Sequence, residues 1–273
     1  MKLLALDFDG VISDSAPEAF AVALRTFAAL RPDSALATTV EPPGAARAPA
    51  LDRVRASRAY APFLEMMPLG NRAEDYGVVL AAIESDTHLT DQAAYDAFRV
   101  AQHPDWLRAF HQRFYEERGA MRAAGAEAWH ALMGPYPKLP DVLRRHADNV
   151  ILTIATAKDR GSVKSLLQAY GLDDLFEDSR VLDKETGVSK TAHLRALHRH
   201  FDVSFEDMVF VDDKVNHLDA VASLGVRCGL ACWGYNGERE ASIARSRGYL
   251  LCSLEALEAQ LFPVSPTRRS PNS

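Results

Sequence analysis

The chain has 273 residues, 48% of them apolar and 25% charged, with a formal net charge of -6. That size and apolar share suffice for two domains with real cores, while the acidic balance gives no electrostatic case for nucleic acid or an anionic membrane as partner. Three cysteines without Cys-x-x-Cys spacing exclude a disulfide framework and a zinc site and are expected as reduced core residues; no run nears the roughly 20 apolar residues that span a bilayer.

The first element is a short apolar run, Lys2-Leu3-Leu4-Ala5-Leu6, that ends in Asp7-Phe8-Asp9-Gly10. It reads as a buried parallel strand rather than a signal peptide. Side chains alternate along a strand, so Asp7 and Asp9 start on one face, and Gly10 allows a sharp turn at the carboxyl end. Two carboxylates so close are costly unless a cation neutralises them or one keeps a proton, and either outcome serves catalysis. Taken alone, the pair also reads as a strand end whose acids cap a turn.

From about residue 16 to 136 the pattern is helical and poor in β-branched alternation, so this stretch lies outside the sheet. Helices are predicted over residues 17–30, 51–66, 73–85, 91–101 and 105–124. Residues 37–50, with Pro42-Pro43-Gly44, read as a mobile loop. Arg72, Glu74 and Tyr76 are candidate ligand contacts or exposed helix polars. Trp106, Phe110, Phe114 and Tyr115 recur at helical spacing and read as a packed face.

A second apolar run, Val150 to Ala155, ends at Thr156 before a helix predicted from Asp159 to Tyr170. Thr156 is an N-cap or a phosphate ligand, and the amides of Ala157 and Lys158 are expected to open a helix N-terminus that favours an anion. Gly187-Val188-Ser189-Lys190 then leads into an amphipathic helix near Thr191, which places Lys190 at a loop-to-helix junction. His193, His198 and His200 on that helix read as a solvated or half-buried face. The run Met208 to Val211 closes on Asp212-Asp213, followed by Asn216, His217 and Asp219. Adjacent acids after an apolar strand have little structural use; His217 stands near enough for a supporting role. Residues 265–273 read as a disordered tail.

The order Asp-x-Asp, Thr, Lys, Asp-Asp puts three groups at carboxyl ends of predicted parallel strands, where open α/β sheets gather ligands. Here the sequence resembles the haloacid dehalogenase-like hydrolase superfamily and, within it, the phosphoglycolate phosphatase-like branch. Asp7 to Ser15 is similar to the first motif, Thr156-Ala157-Lys158 to the second, Lys190 to the third, and Val211-Asp212-Asp213 with Asn216 to the fourth. Trp233-Gly234-Tyr235-Asn236 is similar to a glycine-aromatic stretch late in such phosphatases. The resemblance covers roughly residues 1–16 and 136–262. Two departures stand out: the fourth motif usually opens Gly-Asp, and Ala157 replaces an Asn common in the branch.

The resemblance implies an α/β fold, a doubly wound parallel sheet over residues 1–15 and 136–264, interrupted by a helical cap over 16–135. It implies Mg2+ bound by Asp7, the Asp9 carbonyl and Asp212 or its rival Asp213. Asp7 would be the nucleophile of an aspartyl-phosphate route and Asp9 the general acid and base. Lys190, Thr156, Ala157, Lys158 and Gly10 would hold the phosphoryl group. The implied partner is a small phosphorylated metabolite (phosphoglycolate-like, a sugar phosphate or a nucleotide). With no bilayer-spanning run and a strand in place of a signal peptide, a cytoplasmic location is expected, and apolar faces of the cap would serve either a core or a dimer contact. A phosphomutase with the same intermediate and a phosphate-binding regulator without turnover are the rival readings.

Overall fold

The computed structural model describes residues 1–36, 47–70, 72–187 and 189–262. Its strands are β1 (Leu3–Leu6), β2 (Ser13–Asp14), β3 (Gly134–Pro135), β4 (Ile151–Ala155), β5 (Val181–Leu182), β6 (Met208–Asp212), β7 (Arg227–Ala231) and β8 (Leu250–Cys252). Six of them form one parallel sheet in the order β5-β4-β1-β6-β7-β8. β1 is central and wholly buried, which is why its sequence is a continuous apolar run: both faces are covered. Leu4 and Leu6 join one hydrophobic cluster and Leu3 and Ala5 the other, as a pleated strand requires.

Two helical layers cover the sheet. On the Leu4 face lie α8 (Leu139–His146), α9 (Arg160–Ala169) and α13 (Leu257–Leu261); on the Leu3 face lie α10 (Lys190–Phe201), α11 (Val215–Ala222) and α12 (Glu238–Ser246). The remaining helices, α1 (Ala16–Leu30), α2 (Leu51–Arg55), α3 (Tyr60–Met66), α4 (Ala73–Glu84), α5 (Gln92–Val100), α6 (Pro104–Ala124) and α7 (Ala126–His130), all fall between β2 and β3. Those two short strands pair antiparallel, so the chain leaves the sheet and returns to it side by side.

The helix expected over 51–66 is two helices. Pro62 is the third residue of α3; it lacks an N–H and its ring would clash with the carbonyl four residues back, so it fits only a first turn. Helix α7 and the β2–β3 pair went unforeseen. Inside this helical unit α4 and α6 pack closely at Gly77, where a Cβ would lie 2.6 Å from the Phe110 ring, and Phe20 sets its edge against Tyr60 and Phe63 at 5.2 and 5.1 Å between centroids. The expected loop at 37–50 lies outside the described residues except at 47–50, and the expected tail lies wholly outside them. Cys228 and Cys252 are buried as expected, but Cys232 is exposed. His193, expected on a solvated or half-buried face, is buried and bonded to the Asp183 and Gly187 carbonyls at 3.0 and 2.9 Å. Among the described residues no helix is long and apolar enough to cross a membrane.

Candidate active site

The register of the sheet assembles the site. Leu6 is level with Ile154 on one side and Val211 on the other, so the next residues, Asp7, Ala155 and Asp212, form one rung at the carboxyl edge. The Asp7 amide still donates to the Val211 carbonyl at 2.9 Å, which holds Asp7 in line. Lys190, the first residue of α10, reaches this rung. Its ammonium lies 2.8 Å from Asp7 Oδ1 and 3.0 Å from Asp212 Oδ2 and donates to the Ala155 carbonyl at 2.8 Å. An ammonium has three N–H groups, and all three are engaged. Lys190, expected to hold the phosphoryl group, thus lies between Asp7 and Asp212.

Electrostatics separates the acids. Burial works against ionising Asp212, which is 0% exposed. His217 and Lys190, with the Lys214 amide at 2.9 Å, nevertheless hold its carboxyl well below the usual range. Burial pushes Asp7 up, with Asp212 adding to the shift against Lys190. Asp213 is pushed up further, by burial and then by Asp212. Its Oδ2 accepts from the Tyr235 amide at 3.0 Å. His217, on α11, brings Nδ1 within 3.1 Å of both Asp212 oxygens, and Asp7, Asp212 and His217 offer donor atoms within 4.8 Å of one another.

Asp7, Asp212 and Asp213 are three buried carboxylates, of which the Lys190 ammonium contacts two, so the site holds an excess of acidic oxygen. Oxygen donors of this kind suit Mg2+, so the residues fit that ion.

Asp7, Asp9, Thr156, Ala157, Lys158 and Asp213 line a cavity of about 160 Å3 above this rung. Asp9 is paired with Lys158 Nζ at 2.9 Å. Against the burial that would raise it, Lys158 and the Ser15 hydroxyl hold Asp9 below its ordinary value. The Thr156 hydroxyl accepts from the Lys158 amide at 3.2 Å, and α9 starts only at Arg160, capped by Asp159. The amides of Ala157 and Lys158 therefore precede the helix instead of opening it, and the Lys158 side chain is the group that faces Asp9. Gly10, expected to bind substrate through its backbone, gives its N–H to the Ser13 carbonyl at 2.8 Å. At φ +80° it packs on Asp213, whose Cγ a Cβ would approach to 2.6 Å.

Asn216 of the fourth motif and Asp219 beyond it lie elsewhere. Asn216 is exposed, and Asp219 accepts from the Tyr249 hydroxyl at 2.7 Å; His217 is the α11 residue on the cavity wall.

The helical unit closes the cavity with Arg72 and Tyr76 near and on α4 and with Phe114, Tyr115 and Arg118 on α6. Arg72 and Tyr76 were candidates from sequence; Glu74 points away, to His111 at 2.7 Å and Arg99 at 3.7 Å. Phe114 and Tyr115 wall the cavity besides packing. Arg118 was missed because only the aromatics of this helix were singled out from the sequence. The signal that could have found it is Glu18, an acid in the otherwise apolar first turns of α1, which must have a cation. Tyr235, whose hydroxyl accepts from the Ser15 amide, was visible only as part of its glycine-aromatic stretch.

The family model for haloacid dehalogenase-like hydrolases matches residues 1–225. Among solved structures, the chain is similar to two phosphoglycolate phosphatases assigned by prediction. The one from Haemophilus somnus has 19% identity, 94% and 96% of the two chains covered, and a TM-score of 0.60. The one from Lactobacillus delbrueckii has 14% identity, 96% and 99% covered, and a TM-score of 0.64. A family hydrolase from Deinococcus radiodurans with bound phosphate and sodium is 17% identical over 96% and 95% of the chains, with a TM-score of 0.55. At such identities these structures report the fold.

Proposed function

The chain belongs to the haloacid dehalogenase-like hydrolases, and from that membership we propose that it is a Mg2+-dependent phosphatase of small phosphate monoesters, working through an aspartyl-phosphate on Asp7. The observation that carries this reading is Lys190 set between Asp7 and Asp212 at the carboxyl edge of β1 and β6. An ammonium with all its donors engaged fixes the Asp7 carboxylate and leaves Oδ2 as the attacking atom.

Asp7, Asp213, Asp212 and the Asp9 carbonyl would hold Mg2+, which would neutralise phosphoryl charge. Attack by Asp7 on phosphorus breaks the bond to the ester oxygen, and Asp9 gives the departing alcohol its proton. The Thr156 hydroxyl and the Lys158 ammonium face the phosphoryl oxygens as charge redistributes. Water then attacks the acyl-phosphate, Asp9 takes its proton, and Asp7 is released with inorganic phosphate. We read residues 1–15 and 136–264 as the catalytic core and 16–135 as a cap that keeps bulk water from the acyl-phosphate.

Phosphate release from a broad panel of monoesters, with Mg2+ and with chelator, tests the proposal. Turnover that needs the metal is expected; silence toward every ester would overturn it.

A further inference from the structure

The cavity has a second cationic end. Arg118 donates from Nε and Nη2 to Glu18 at 2.8 and 2.6 Å, and Glu18, 0% exposed, also accepts from the Trp129 indole at 3.0 Å. The guanidinium lies 4.7 Å over the Phe114 ring. Glu18 and Phe114 thus fix it, with Trp129 holding Glu18, while its side chain keeps 22% exposure on the cavity wall. Among the described residues Nη1 has no hydrogen-bond partner. A guanidinium held this way presents its remaining donors in a rigid fork, the form that recognises a carboxylate or phosphate.

The other cations of the wall are held less rigidly or used elsewhere. Arg72 is 72% exposed with one ion pair at 3.9 Å, Lys184 is exposed, and Lys214 donates to the Gly70 carbonyl. Lys158 and Lys190 serve Asp9 and Asp7 at the phosphoryl end. The volume, about 160 Å3, is below the roughly 300 Å3 where drug-sized pockets begin. A phosphoryl group and a few carbons fill a space of that size.

We propose that Arg118 is the specificity residue of this site and selects short phosphomonoesters that carry a second anionic group at the end remote from the ester. The inference rests on the phosphatase reading above and adds the substrate class. The competing role for Arg118 is purely structural, as counter-ion to Glu18, so the test removes both charges together.

Three-carbon monoesters ending in a carboxylate, a second phosphate or a neutral hydroxyl are compared by kcat/KM in wild type and in Glu18→Gln/Arg118→Gln, with Arg118→Lys as a milder variant should the double one not fold. Wild type is expected to favour at least one anionic ester over the neutral one by about 10- to 100-fold, the scale of a charged hydrogen-bonded contact, and the carboxylate and bisphosphate arms report which anion it takes. The double variant should bring that ratio near one, chiefly through KM; Arg118→Lys should lower it partway. Equal use of all three esters by wild type, or a ratio that survives in the variants, overturns the assignment while phosphatase activity stands. Hydrolysis of none of them overturns this and, if the broad panel is also silent, the phosphatase reading with it.

Discussion

Lys158 Nζ donates to Asp9 Oδ1 at 2.9 Å, and this pair sets the charge of the residue assigned to proton transfer. Against burial, which would raise it, the ammonium lowers Asp9. A group that must be protonated to act loses activity as pH rises past its pKa. Replacing Lys158 by Met should therefore move the Asp9 limb of the kcat/KM profile to higher pH, with a rise in KM from the lost phosphoryl contact. A limb that stays in place would separate Lys158 from Asp9.

Lys190 is the counter-charge of two buried acids at once. Removing one partner of a buried ionic cluster typically costs about 3–5 kcal/mol. Lys190→Met should show a loss of that order in urea unfolding without added metal, together with loss of turnover. A variant as stable as wild type would mean the cluster is not the anchor of the β1 edge.

His193 gives a pH signature. Burial, and then Lys190, hold its imidazole below the ordinary value of 6.5. The unfolded chain therefore binds a proton that the native state refuses, and stability is lost as pH falls from about 6.5 toward the lower native value. Urea midpoints at pH 7.5 and 5.5 should fall in wild type and fall less in His193→Gln. The same drop in both proteins would assign the loss to other groups.

What was legible follows from the physics of each segment. The buried runs ending at Asp7, Thr156 and Asp212 were readable because a strand covered on both faces must be apolar throughout, so acids at its end stand out. The ends of most helices in the 16–130 region were readable from periodicity. The break near Pro62 was visible in principle but hidden by the apolar pattern across it. The far wall of the cavity was not legible: Arg118 and Glu18 lie 100 positions apart, and nothing local in residues 113–118 separates a buried guanidinium from a solvated one. The bonds of Gly10 and Lys190 were not legible either, because a motif names a residue while its bonds depend on which donors the fold has already used.

The central claim is that Asp7 is the nucleophile. Wild type and Asp7→Asn, matched for fold by circular dichroism and thermal midpoint, are assayed for phosphate release with Mg2+ on the best ester of the panel. The account predicts a fall of about a thousandfold or more in kcat with the fold retained. A folded Asp7→Asn protein that releases phosphate at the wild-type rate would contradict it.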